Sequence, residues 1–197
     1  QLSCPLPSSR NELLTAAMTG ATSTSVVVRE VAGGAERKVP FDYLVLATGS
    51  TYAAPIKPVQ TEPSLAWRLA TLTAAAAKLE SASKVIVIGA GAVGVELVGE
   101  ILTVYPAKHV IVVDFAKTIL PGFDAAASTY TLEWLERAGV ELMLGEAIDT
   151  IEETFITLKS GSTIHADVVY KCVGVMPNTS MLRRTPFEGK GFRGSVE

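Results

Sequence analysis

Apolar residues in this chain fall into short runs cut by glycine and proline, and their spacing changes along its length. Residues 1–23 carry little periodic signal, whereas Ser25–Val31 and Tyr43–Ala47 have the composition of strands. Gly33-Gly34 and Pro40 punctuate them, so a small sheet is predicted. Pro55, Pro58 and Pro63 then mark an irregular connector. Beyond it Leu65, Leu69, Leu72, Ala76 and Leu79 step by three and four, the spacing of a helix with one buried face. Ser64 is placed to cap that helix, and Ser81 to Ser83 end it.

From Lys84 on, strand and helix periods alternate. Val85–Ile88 is an unbroken apolar run suited to a parallel strand covered on both faces. Val93, Leu97, Val98, Ile101, Leu102 and Tyr105 follow a helical period that Pro106 ends. Val110–Val113 is a second buried strand. After Pro121-Gly122, Asp124 can cap a helix bearing Tyr130, Trp134, Leu135 and Ala138, with Gly139 as its stop. Tyr130 and Trp134, at helical spacing, are read as core packing. Val140–Leu144 is predicted as the third strand of a βαβαβ sheet built outward from the first. Thr150-Ile151, Phe155–Leu158 and Thr163–His165 then read as hairpin strands around Gly161, and Val168–Cys172 as a buried strand running on to Gly174. The fold class is α/β: a Rossmann-like parallel sheet with helices on one or both faces, plus a β-meander.

Candidate chemistry sits between the first strand and its helix, where the chain reads Gly89-Ala90-Gly91-Ala92-Val93-Gly94. In a dinucleotide-binding turn the first glycine permits the sharp reversal, the second lets backbone approach a pyrophosphate, and the third lets helix pack on strand. The helix start aims free N–H groups and the positive end of its dipole at the phosphates. A glycine pattern alone is a weak signal, because such turns also occur in ordinary α/β cores. Here a strand precedes it, a helix follows, and Asp114 comes twenty residues after Gly94, at the end of the second strand. A carboxylate there accepts hydrogen bonds from a free ribose 2′-hydroxyl and repels a 2′-phosphate, which favours NADH over NADPH.

Composition narrows the alternatives. The 197 residues, 48% of them hydrophobic, suffice for one large domain or a domain and part of another. A formal charge of -3 and a pI near 5.5, with no basic stripe, argue against nucleic-acid binding. No run reaches the roughly 18 apolar residues of a transmembrane helix, and no signal peptide is recognisable. Cys4 and Cys172 cannot form a CxxC pair, and an intracellular setting, cytoplasmic or mitochondrial, is expected. Cys172 reads as an inert core thiol. His109 and His165 flank strands without a paired acid or metal spacing, and neither is assigned to catalysis. Tyr105 and Lys108 stand three apart across Pro106, the wrong spacing for a short-chain dehydrogenase pair. The chain opens on Gln1 without an initiator methionine and is expected to be part of a longer protein.

Three ordered motifs resemble one large family, the two-dinucleotide-fold flavoproteins or pyridine nucleotide-disulphide oxidoreductases. They are Phe41-Asp-Tyr-Leu-Val-Leu-Ala-Thr-Gly-Ser50, the glycine turn followed by Glu96, and Ala166-Asp-Val-Val-Tyr-Lys-Cys-Val-Gly174 with Pro177-Asn178-Thr179. The resemblance covers roughly residues 24–182 and is strongest to apoptosis-inducing-factor-like, ferroptosis-suppressor-type NADH:quinone oxidoreductases. It implies NADH lying along residues 89–94, with Asp114, Ile148 and Gly174 in the same set, and hydride passing to an FAD. Glu96 would lie near the nicotinamide as a catalytic candidate, although an acid at a helix start explains it equally well. Ala47, Thr48 and Gly49 would lie on the FAD side. The family's FAD glycine turn before residue 24 and its late Gly-Asp motif are not seen in this sequence. The implied division is a partial FAD-binding domain over 1–52, a connector and helix over 53–82, an NAD(H)-binding domain over 83–185, and a return toward the FAD-binding domain over 186–197. Electrons would leave for a small-molecule acceptor, a quinone or another external one. Alternatives are an NADH-sensing interaction module, or a ferredoxin or disulfide reductase of the same family. A homodimer and peripheral membrane attachment are both compatible with the resemblance.

Overall fold

A computed structural model describes residues 12–30, 33–53, 55, 57 and 64–188. Its elements begin with β1 (Ala16–Ala21), β2 (Ser25–Glu30), β3 (Glu36–Pro40) and the two-residue β4 (Ser50–Thr51), followed by helix α1 (Leu65–Ser81). An alternating series follows: β5 (Lys84–Ile88), α2 (Ala92–Val104), β6 (His109–Asp114), α3 (Ala125–Arg137) and β7 (Glu141–Leu144). The remainder is β8 (Ile148–Ile151), β9 (Phe155–Leu158), β10 (Thr163–His165), β11 (Val168–Lys171), β12 (Met176–Pro177) and a 3-10 turn at Ser180–Leu182. The described residues form two compact units, a larger one between Tyr52 and Val175 and a smaller one from those before Tyr52 and after Val175.

The larger unit is built on a four-stranded parallel sheet in the order β11-β5-β6-β7. Successive side chains of a strand face opposite ways, so each strand feeds two cores. Val85, Val87, Val110 and Val112 meet Val98, Ile101 and Leu102 of α2 and Leu135 of α3. Ile86, Ile88, Ile111 and Val113 face the other way, onto Ile156 and Leu158 of the antiparallel meander β10-β9-β8. Helices cover one face and the meander the other. The unbroken apolar runs follow from this double coverage, and burying each such side chain stabilises the fold by about 1.5–3 kcal/mol.

Polar groups pin the amino ends of the strands. The Asp167 carboxylate accepts the backbone N–H groups of Ser83 and Lys84, each at 2.9 Å, and these bonds hold its pKa below the usual carboxylate value. Lys108 donates to the carbonyl oxygens of Glu80 and Ala82 at the end of α1, and its ammonium lies 4.5 Å from the centre of the Tyr105 ring. Lys108 therefore closes a helix end.

Two helical expectations need correction. The Ser64 hydroxyl does cap α1, accepting the Trp67 N–H at 3.3 Å. Its leucine stripe, however, faces outward: Leu65 is 75% exposed, and Leu69 and Leu72 are exposed too. The half-buried stripe is instead Arg68, Thr71, Ala75 and Leu79. Arg68 donates to the Pro55 carbonyl at 2.7 Å and Leu79 packs on the helix-side core, which together set the rotation of the helix. On α3, the Asp124 carboxylate caps as expected, accepting the Ala126 N–H at 2.8 Å, and Gly139 ends the helix region with φ +76°. Leu135 is buried, but Tyr130 is 67% exposed and Trp134 sits at the rim, so the aromatic pair is not core.

The smaller unit carries an antiparallel sheet in the order β1-β2-β3. Gly33, at φ +87°, turns the chain between β2 and β3. Pro40 does not separate strands, as the sequence suggested, but ends the edge strand β3, where no ladder N–H is required of it. The predicted strand at Tyr43–Ala47 is absent, because no described strand pairs with that segment; Tyr43 is 94% and Val45 86% exposed. Strand β1 had no periodic signature and exists through its pairing with β2. Cys4, Val31, Pro58 and Pro63 lie outside the described residues.

Candidate functional site

The turn from β5 into α2 separates its three glycines by what surrounds them. Gly89 has φ +109°, and its N–H donates to the Val113 carbonyl at 2.8 Å. A Cβ on Gly89 would lie 2.7 Å from the Cys172 carbonyl oxygen, and one on Gly94 only 1.8 Å from the Gly89 carbonyl oxygen. Gly91 differs, since a Cβ there would meet nothing within 4 Å. The outer two glycines are demanded by the protein's own packing. The middle one faces open space.

That space lies at the start of α2. Gly91 is the N-cap, no side chain caps the helix, and its first turn holds no acid. The leading N–H groups of a helix have no acceptors within it, and here they meet no competing carboxylate. An anion such as the pyrophosphate of a dinucleotide fits this donor set. Ala90 is fully buried, whereas Ala92 and Val93 are exposed beside the turn.

Asp114 closes β6 and ties the turn in place. Its Oδ2 accepts the Ala90 N–H at 2.5 Å, and its Oδ1 accepts the Ala116 N–H at 2.6 Å. Each carboxylate oxygen keeps further accepting capacity, so bonding to a ribose hydroxyl remains available. Asp114 joins Gly89, Phe115, Glu146, Ile148 and Val173 around a cleft of about 210 Å³ whose remaining walls are apolar. These residues stand at or beyond the carboxyl ends of parallel strands, or on the meander beside them. In an open α/β sheet that is where ligands bind.

The structure thus brings Gly89, Asp114 and Ile148 together, with Gly174, at φ +81°, next in chain to Val173. Sequence reasoning missed Phe115, Glu146, Ile151 and Val173. Phe115, Glu146 and Val173 follow strand ends and Ile151 closes β8, positions that gain meaning only from the strand order. A larger open depression of about 430 Å³ beside Glu133, Glu136 and Arg137 contains only exposed helix-surface side chains and offers no comparable donor set.

Glu96 is not a helix-start acid. Because α2 begins at Ala92, Glu96 lies beyond its first turn, exposed, where the dipole contributes little.

Ala47, Thr48 and Gly49 belong to the smaller unit, where Asn178 binds the last two. The Thr48 hydroxyl donates to the Asn178 carbonyl at 2.7 Å, the Asn178 amide donates to the Thr48 carbonyl at 3.0 Å, and the Asn178 backbone N–H donates to the Gly49 carbonyl at 2.9 Å. Beside them β4 pairs with β12. Two of the sequence motifs, 129 residues apart at Gly49 and Asn178, therefore form one hydrogen-bonded knot, which nothing local could reveal.

The remaining candidates are structural. His109 does have a paired acid, contrary to expectation: its Nε2 lies 3.0 Å from a Glu141 carboxylate oxygen, with both side chains about half exposed. Such a surface pair contributes little. His165 stacks at a tilt on Phe155, ring centres 5.6 Å apart. Burial pushes the Cys172 thiol up to about 11, which keeps it protonated and unreactive. Among the described residues no cluster of His, Cys, Asp and Glu could hold a metal, and no helix is long and apolar enough to cross a membrane.

Comparison with known proteins adds to this geometry. Residues 11–192 match the family described as pyridine nucleotide-disulphide oxidoreductase. Apoptosis-inducing factor 1 of Saccharomyces cerevisiae is 31% identical over 80% of this chain and 44% of its own length. Ferroptosis suppressor protein 1 of Taeniopygia guttata is 30% identical over 71% of this chain and 40% of its own. The chain thus spans less than half the length of these curated relatives. Among solved structures, the water-forming NADH oxidase of Lactobacillus brevis, bound to NADH, superposes with a TM-score of 0.64 at 22% identity, covering 84% of this chain and 38% of the oxidase, a likeness of fold.

Proposed function

Since the chain belongs to the pyridine nucleotide-disulphide oxidoreductase family, we propose that its larger unit binds NADH as the electron-donor part of an FAD-dependent oxidoreductase. The observation that carries this reading is the α2 start: an uncapped, acid-free helix N-terminus behind a glycine whose missing side chain leaves open space. Gly89 to Gly94 would hold the pyrophosphate there. Asp114 would accept from the adenosine ribose, and the apolar cleft with Phe115 and Ile148 would take the adenine. When bound, NADH supplies a hydride to a flavin. The protein's part is to align the donor and keep the cleft dry.

The smaller unit is assigned to the flavin side through Ala47, Thr48 and Gly49. Its described residues contain no Gly-x-Gly-x-x-Gly turn, so they do not make a complete flavin cradle by themselves. The acceptor we favour is a quinone or another external small molecule, in keeping with a buried, protonated Cys172 that has no partner cysteine at redox spacing.

The test is a titration of the full-length, flavin-loaded protein with NADH and NADPH under anaerobic conditions. NADH is expected to bind more tightly and to bleach the flavin band. Absence of nucleotide binding would overturn the site. Binding without bleaching would reject the reductase and leave an NADH-controlled interaction module.

A further inference from the structure

We propose that Glu146 is a second selectivity residue of the nucleotide cleft, acting with Asp114 to reject a ribose 2′-phosphate, so that a preference for NADH rests on two carboxylates. The inference depends on the nucleotide reading above and goes beyond it by assigning a residue that the glycine-turn pattern does not contain.

Backbone geometry brings the two acids to one wall. The exit of β7 is laced to the exit of β6: the Gly145 N–H donates to the Ala116 carbonyl at 2.9 Å, and the Glu146 N–H donates to the Asp114 carbonyl at 3.0 Å. Gly145, at φ +78°, turns the chain so that Glu146 lines the same cleft as Asp114. Their electrostatic situations differ. Both oxygens of Asp114 already accept a backbone N–H, which offsets part of its field toward an incoming ligand. Glu146 is half-buried, and among the described residues its carboxylate makes no hydrogen bond or ion pair.

An uncompensated carboxylate tolerates a neutral hydroxyl, from which it can accept, and repels a dianionic phosphate. Asp114, with both oxygens already accepting, leaves Glu146 as the uncommitted carboxylate of that wall.

The experiment measures dissociation constants of NADH and NADPH by nucleotide fluorescence on the full-length protein, for wild type, Glu146→Gln, Glu146→Lys and Asp114→Asn/Glu146→Gln. Glu146→Gln removes the charge and keeps the shape. It should raise affinity for NADPH relative to NADH about fivefold, the scale of one unit charge facing a phosphate across several ångströms of partly screened space. Glu146→Lys should tighten NADPH further, and the double variant should exceed Glu146→Gln. If wild type binds NADH but Glu146→Gln leaves NADPH affinity unchanged, or shifts both nucleotides alike, the second filter is refuted while the cleft stands. If wild type binds neither nucleotide, cleft and filter fall together.

Discussion

Replacing Gly94 and Gly91 by alanine, one at a time, should separate stability from binding, because the added methyl meets opposite surroundings. At Gly94 the Cβ would stand 1.8 Å from the Gly89 carbonyl oxygen and 2.9 Å from its carbon, whereas ordinary contact begins near 3.4 Å. Backbone opposes backbone, so no side chain can rotate out of the way. Helix α2 would have to lift from β5 by more than an ångström, loosening Val98, Ile101 and Leu102 in the helix-side core. Overpacking typically costs ~1–3 kcal/mol, and an immovable clash places this one at about 3 kcal/mol. At ~2–4 °C per kcal/mol for a domain of this size, Tm should fall by about 6–12 °C.

Gly91 has φ -77° and ψ -175°, extended backbone open to any residue, and its Cβ would enter free space. Reduced unfolded-state entropy favours alanine by ~0.4–1 kcal/mol, and the weaker N-cap opposes it by a similar amount, so Tm should hardly move. The methyl nevertheless stands where a pyrophosphate must approach the helix N–H groups. Losing one charged hydrogen bond is worth ~1.5 kcal/mol, about tenfold in the NADH dissociation constant. Thermal unfolding by circular dichroism and NADH fluorescence titration, run on both variants of the full-length protein, check the pair. A Gly94→Ala protein as stable as wild type, or a Gly91→Ala protein with undiminished affinity, refutes the assignment of roles.

Asp114→Ala is expected to weaken NADH binding by about 1–2 kcal/mol and, because it strands the buried Ala90 N–H, to lower unfolding free energy by a further ~1–3 kcal/mol; titration beside urea denaturation reads both, and unchanged affinity would remove Asp114 from the site. Cys172 predicts alkaline destabilisation: its thiol titrates near 9 when free and about 11 in the fold, so between those values the native state holds a proton that the unfolded chain releases. Stability should drop across that window by about 2–3 kcal/mol in wild type and less in Cys172→Ala, measured as denaturant midpoints from pH 8 to 11. Asp167 predicts the mirror effect in acid, since its carboxyl is held below its ordinary value by the Ser83 and Lys84 N–H groups. Its contribution is present above the usual carboxylate range and disappears as pH falls through the lowered pKa; an Asp167→Asn protein whose acid unfolding matches wild type would count against it.

What could be read without coordinates depended on where each residue's partner lies. Val85 to Asp114 carries much of its logic within one stretch: an unbroken apolar strand, a Gly94 that must clear the Gly89 carbonyl, and an acid that returns to bond Ala90. Phe115, Glu146 and Val173 become legible only once β11, β5, β6 and β7 are placed side by side, because each follows a different strand and is unremarkable alone. The Asn178 knot at Thr48 and Gly49 is harder still, a pairing of loop residues with no periodicity on either side.

The misreadings share a physical cause. The spacing of Leu65, Leu69 and Leu72 and the composition of Tyr43–Ala47 identify faces able to be covered, and spacing does not say that the chain covers them. A helix rotates to satisfy its strongest anchors, here the Arg68 bond to Pro55 and the packing of Leu79, and the leucines go where that rotation puts them. A strand needs a neighbour's N–H and C=O groups, which composition does not provide. The glycine turn depends on no such cover. Its constraints are steric and close on themselves, with Gly94 against Gly89 and Gly89 against Cys172, so they hold whatever lies beyond the larger unit.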